Sequence, residues 1–203
     1  MIPKRFPKKK IPRILQQHEA WIIKQLEKHQ SSLQDNPLPH DITLQLTNTT
    51  FPITYSLGSK PALIETNYEL SVCYQSKDQA IKLLRNWLRA KAKEILPPML
   101  SQIAIEFNFK YSKTSIRSQK SRWGSCSSSG TISLNDQLLF MPAVSVRYLM
   151  IHELCHTRHM NHSCRFWKLV ESYCPDYRQY DRTLSQGREK VPAWFSQSLF
   201  NKK

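Results

Sequence analysis

"HELCHTRHMNH", His152 to His162, is the stretch on which the fold turns. It holds four of the seven histidines of a 203-residue chain. Its first five residues fit the pattern H-E-x-x-H. With seven His and nine Glu in the chain, random placement gives about 0.01 matches, so chance explains it poorly. The residues before it, "AVSVRYLMI", are apolar and follow Pro142, which suits the first turn of a helix. On that helix His152 and His156 lie on one face, about 6 Å apart along the axis. Two imidazoles on adjacent turns can converge on one zinc ion at ~2.0–2.1 Å. Glu153 is rotated by ~100° from His152, so it can reach a water beside the metal without being a ligand. That is the place of a general base.

A third ligand is needed. His159 shares the face of the first two but lies ~10 Å along the axis from His152, and three collinear ligands cannot surround one ion. His162 would point ~240° away on an unbroken helix, so it can ligate only where the helix ends first. Asn161 tolerates a left-handed conformation and is a candidate for that end. The reading therefore takes His152, His156 and His162 as ligands of one zinc per chain. Three protein ligands leave a fourth position open, the mark of a catalytic site. Phe166 and Trp167 are expected to pin the turn that presents His162.

Working outward, Ser76 to Leu96 predicts an amphipathic helix with Ile81, Leu84, Leu88 and Ile95 on one stripe. Lys82, Arg85, Arg89 and Lys93 form a second, solvated stripe. Pro97–Pro98 ends or kinks it. Ile11 to Gln30 also predicts a helix, and "SSLQDNPLP" a break after it. His40 to Gln75 is rich in Thr, Ile, Tyr and Val and predicts strands. "IAIEFNFKY" from Ile103 alternates like a strand, "WGSCSSSG" predicts a loop framed by Gly124 and Gly130, and "TISLN" a short strand. "CRFWKLVESYC" and "DYRQYDRTLSQG" predict the last two helices.

Formal net charge is +15. Residues 76–140 carry 11 basic and 4 acidic side chains, the largest excess of any third of the chain. An anionic partner such as nucleic acid, a nucleotide or an acidic protein fits that excess. No apolar run approaches ~18 residues, so no membrane span is expected. The basic start has no apolar centre and is not read as a secretory signal. Five cysteines without a C-x-x-C pair fit reduced thiols in a cytoplasm.

"RWGSCSSSGTISLN", "HELCHTRHMNHSCRFW" and "PDYRQYDRTL", in this order, resemble the YgjP-like metal-dependent hydrolases, small zincins near the SprT-like and WLM metallopeptidases. The resemblance runs from about Trp21 to Leu184 and is most specific from Arg122 to Trp167. It implies zinc on His152, His156 and His162 with Glu153 as catalytic base, in agreement with the geometric argument. It implies an α+β zincin-like domain with the H-E-x-x-H helix beside a small sheet, preceded by a small N-terminal α/β lobe. The family usually has extra strands before the helix containing Trp21, so an incomplete N-terminal sheet is expected. The His152–His162 spacing also equals that of metzincins, but His159 stands where those have glycine. By family position Tyr173, Tyr177 and Arg182 are candidate oxyanion donors.

The expected organisation is an N-terminal lobe over 1–75, a catalytic domain over 76–187 and a tail over 188–203. "TISLN" is expected to flank the cleft, either as an edge with which an extended peptide pairs or as an ordinary core strand. Arg117, Lys120, Arg122 and Trp123 are candidate substrate contacts. The leading reading is a zinc-dependent metallopeptidase that cleaves a peptide or protein with a zinc-activated water. The first alternative is a zinc-dependent nucleotide phosphoanhydride hydrolase, a pyrophosphatase. The second is a non-enzymatic nucleic-acid-binding protein with structural zinc, against which Glu153 and the open fourth position argue.

Overall fold

The computed structural model describes residues 12, 16–21, 23 and 37–196. Of the first predicted helix, residues 12, 16, 17, 19–21 and 23 are helical and residue 18 is a turn. The rest of it, and residues 31–36 of the break that follows, lie outside the described residues. Leu38–Lys203 forms one compact unit. None of its helices is long and apolar enough to cross a membrane among the described residues.

The strand-rich stretch forms β1 (Asp41–Leu44), β2 (Thr49–Leu57), β3 (Ala62–Thr66) and β4 (Glu69–Tyr74). They make a four-stranded sheet in the order β1-β2-β4-β3, with β2 and β4 parallel and the other pairs antiparallel. Alternation puts Ile42, Leu44, Leu70 and Val72 into the core, while their sequence neighbours face out. The β3–β4 hairpin turns on Asn67 and Tyr68, both at positive φ (47° and 65°), as a two-residue turn matched to strand twist requires.

Helix α1 (Lys77–Glu106) follows, with the Ser76 hydroxyl accepting from the Gln79 amide at its start. Leu84, Leu88, Leu96, Leu100, Ile103 and Ala104 are buried along one face. That continuous face explains two departures from expectation. Pro97 and Pro98 neither end the helix nor stop its burial, since the apolar stripe resumes at Leu100. Ile103 to Glu106 is therefore the last turn of α1 rather than a strand. Ile103 and Ala104 are buried side by side, which strand alternation does not allow. The helix closes on Asn108 at φ 52°, with Phe109 N–H donating to the Ala104 carbonyl (2.8 Å) and Asn108 N–H to that of Ile105 (3.2 Å). These bonds make a Schellman cap with asparagine where glycine is commoner.

A second sheet contains β5 (Lys113–Arg117), β6 (Gly124–Cys126) and β7 (Thr131–Asn135), in the order β5-β7-β6. "WGSCSSSG" is thus part strand and part turn. Gly130, at φ 72°, closes the β6–β7 hairpin, where a residue with a Cβ would be strained. The "TISLN" strand β7 is central, parallel to β5 and antiparallel to β6, so it offers no free edge. The core-strand alternative for it holds, and β6 is the edge instead.

A 3₁₀ turn (Asp136–Phe140) leads into α2 (Ala143–Cys155), then α3 (Cys164–Tyr173) and α4 (Tyr177–Gln186). A second 3₁₀ turn (Gly187–Lys190) and α5 (Ala193–Ser196) follow. The segment expected as a tail is in part packed: Phe195 is buried against Phe140, and Arg85 lies over its ring. Arg85 and Arg89 of the basic stripe also face the buried carboxylate of Asp136, which accepts from the Ser118 hydroxyl.

Candidate active site

Helix α2 carries Tyr148, His152 and Glu153, and its last buried residue is Cys155. His156 caps it in a right-handed conformation, and Thr157 seals the end by donating its hydroxyl to the Leu154 carbonyl (2.7 Å). The helix thus stops at Cys155, seven residues before His162. Asn161 takes no left-handed conformation; the end comes earlier than the sequence suggested. The chain then turns and brings His162 back.

His152 Nε2 lies 3.2 Å from His156 Nε2 and 3.1 Å from His162 Nε2. Three nitrogens around one tetrahedral zinc at ~2.0–2.1 Å would be separated by about 3.3–3.4 Å. The donor set fits a metal ion on a second count. His156 Nδ1 lies 3.1 Å from the His159 carbonyl, which can only accept, so Nδ1 carries the proton and the Nε2 lone pair faces its neighbours. The His156 Nε2 lone pair is thus free to face an ion held between it and the Nε2 atoms of His152 and His162. His159 contributes that carbonyl, not its imidazole. Burial, with the neighbouring imidazoles, pushes His152 down to about 3, and burial also lowers His156, so both rings are held neutral as ligands must be.

The sequence around the turn explains its rigidity. Phe166 is fully buried and stacks on the His156 ring (centroids 4.4 Å, 23°), with its edges against His152 and His162. Burying such a ring stabilises by about 1.5–3 kcal/mol. Trp167 contacts His152 and His162 and is itself stacked on Tyr177 (5.2 Å). Both aromatics occupy the role expected of them.

Glu153 is buried at 4% exposure, and its Oε2 has no hydrogen-bond partner among the described residues. Burial pushes its carboxyl up to about 8, offset in part by the positive charge of Arg122. Strand β6 runs against α2 here. A Cβ at Gly124 would stand 2.7 Å from Glu153 Oε1, so only glycine leaves the carboxylate its place.

A cavity of about 300 Å³ opens beside this group, walled by Arg122, Trp123, Tyr148, His152, Glu153 and Asp181. Trp123 is fixed by donating its indole N–H to the Leu184 carbonyl (2.8 Å), and Arg188 lies over its ring. Of the other candidate contacts, Lys120 is exposed and does not line the cavity. Arg117 ends β5, with β7 between it and β6. The basic segment is therefore not gathered at the site; Arg122 alone of Lys110, Lys113, Arg117, Lys120 and Arg122 lines the cavity. Tyr173 packs on Phe107 and Phe109 and accepts from Arg158, while Tyr177 is stacked on Trp167.

Three residues went unnoticed in the sequence. Asn135, fully buried at the end of β7, donates its amide to the carbonyls of Gln119 (2.8 Å) and Arg122 (2.7 Å) and so holds the loop that carries Arg122 and Trp123. Its signal was a polar residue closing an apolar strand. Tyr148 lies one turn before His152, and its partner Asp181 comes from α4.

A family model described as the YgjP-like metallopeptidase domain matches residues 1–187. The chain belongs to the YgjP-like family. This YgjP-like chain is accordingly a hydrolase of the metallopeptidase kind with a three-histidine group fit for a metal ion. No curated protein matches it. Among solved structures it is similar to the metallopeptidase zymogen of Pyrococcus abyssi abylysin, at 26% identity and a TM-score of 0.40. That match covers 44% of this chain and 91% of the other. The metallopeptidase zymogen of Methanocaldococcus jannaschii jannalysin matches at 22% identity and a TM-score of 0.40, over 44% and 93% of the two chains.

Proposed function

We propose that this protein is a zinc metallopeptidase that cleaves peptide bonds of a peptide or protein, with His152, His156 and His162 as zinc ligands and Glu153 as general base. The observation that carries the reading is the convergence of three histidine nitrogens beside a buried, unpartnered glutamate, in a chain of a metallopeptidase family. Bound zinc would supply Lewis-acid polarisation of the scissile carbonyl and acidify an adjacent water. Glu153 takes the proton of that water and later passes it to the leaving amine. Its buried setting makes it a stronger base than an exposed glutamate. Among the described residues β6 is an edge strand, and its outer edge offers backbone groups with which an extended substrate pairs, placing a neighbouring side chain in the cavity between Arg122, Trp123 and Asp181. Five free cysteines support work in a reducing compartment such as the cytoplasm.

The test compares wild type with Glu153→Gln, which keeps size and hydrogen bonding but cannot take a proton. Both are incubated with an unfolded protein and, separately, with nucleoside triphosphates. The expected result is peptide fragments whose release falls at least ~10²-fold in Glu153→Gln with bound zinc retained. Pyrophosphate release that depends on Glu153, with no fragments, would overturn the peptidase reading.

A further inference from the structure

His152 needs its Nδ1 proton held if Nε2 is to face a metal ion. Among the described residues, Tyr148 Oη is the hydrogen-bond partner of that Nδ1, at 3.4 Å. Tyr148 and His152 are four apart on α2, so both point to the same side of the helix. The tyrosine hydroxyl has a second partner: it donates to Asp181 Oδ1 at 2.9 Å. A carboxylate can only accept, so the direction of this bond is fixed, and the hydroxyl's proton is committed to Asp181. Its oxygen is left to accept, and among the described residues the donor it meets is His152 Nδ1–H. The chain of donors runs from His152 through Tyr148 to Asp181, and it selects the tautomer with a free Nε2 lone pair.

We propose that Tyr148 and Asp181 are positioning residues that orient His152 for its metal, Asp181 acting only through Tyr148; this rests on the reading of His152 as a ligand. Carboxylates commonly hold a ligating histidine directly. Here a buried tyrosine spans the gap, because Asp181 belongs to α4 and lies at the exposed rim of the cavity. The arrangement also excludes Tyr148 from donating to a substrate oxygen, since its single proton is taken. A cation on Nε2 would make Nδ1–H a stronger donor to Tyr148 Oη.

The test is the Zn²⁺ affinity of the full chain, measured by competition with a chromophoric chelator, with the Co²⁺ absorption bands as a report of ligand geometry. Tyr148→Phe is expected to weaken Zn²⁺ binding by about 10–100-fold and to shift the Co²⁺ bands. Asp181→Ala should weaken it by a smaller factor, and Asp181→Asn, whose amide oxygen still accepts, should recover most of that loss. The double variant Tyr148→Phe/Asp181→Ala should bind no more weakly than Tyr148→Phe alone, a non-additivity that a merely structural role would not produce. If Tyr148→Phe does not fold, the Asp181 pair, altered at an exposed side chain, decides: wild-type affinity in Asp181→Ala, or equal loss in Asp181→Asn, overturns the relay. Wild-type affinity in Tyr148→Phe, or additive losses in the double variant, overturns it as well. His152→Ala separates the two levels, since undiminished Zn²⁺ affinity there would remove the ligand assignment on which the relay stands.

Discussion

Replacing Gly124 by alanine should disable the glutamate without touching the histidines. The added Cβ would stand 2.7 Å from Glu153 Oε1, 3.0 Å from its Cγ and 3.1 Å from its Cδ. Ordinary contact begins near 3.4 Å, so the carboxylate oxygen must retreat by about 0.7 Å. Gly124 lies in a strand, with no backbone demand for glycine, so the clash is the whole perturbation. A 1 Å misplacement of a reacting group can cost ~10²-fold. The expected fall in kcat is therefore about 10–10²-fold, or ~1.4–2.7 kcal/mol of transition-state stabilisation. If the strand yields instead of the glutamate, the cost appears as ~1–3 kcal/mol of stability. Fragment release at saturating zinc, zinc content and thermal melting together separate these outcomes. Wild-type kcat in Gly124→Ala with unchanged melting would refute the argument that glycine is there to admit the carboxylate.

His162→Ala should lose most bound zinc while His159→Ala, which keeps its carbonyl, should lose little; metal content of the purified variants checks this. Pro98→Ala, at an exposed position inside α1, should restore a backbone donor and raise stability by up to about 3 kcal/mol, read from urea midpoints. Burial alone would raise the Glu65 carboxyl, but hydrogen bonds from Lys91 and the Trp87 indole outweigh it and leave Glu65 below its ordinary 4.5. Its contribution is thus complete above the ordinary carboxylate range and lost as pH falls through the lowered folded value. The stability gap between wild type and Glu65→Gln should close below about pH 4.5, as denaturant titrations from pH 7 to 3 would show.

The candidate site was legible where its pattern is local. His152, Glu153 and His156 sit within one helical turn of each other, and the failure of an unbroken helix to present His162 forced the turn that the structure contains. Strands from Asp41 to Tyr74 followed from β-branched alternation. What went unread depends on distance or on competition between signals. The alternation of "IAIEFNF" imitates a strand, and only the packing of Ile103 and Ala104 against the core reveals a helix running past two prolines. Asn108 carried the stop signal, but asparagine is a weaker mark of a left-handed cap than glycine. Gly124–Cys126 is too short to announce itself as a strand. Asp181 meets Tyr148 across 33 residues, a pairing that no periodicity encodes.

Asn135 holds the rim by its carbonyls. Every amino acid offers a carbonyl, so the fastening at Gln119 and Arg122 is indifferent to what side chains those positions carry. If Arg122 meets the substrate as proposed, frame and selectivity would be written in different alphabets: main chain for the one, side chain for the other. A lineage could exchange Arg122 for an acidic or apolar residue and retune what enters the cavity, while Trp123, Gly124 and the histidine helix stay where they are.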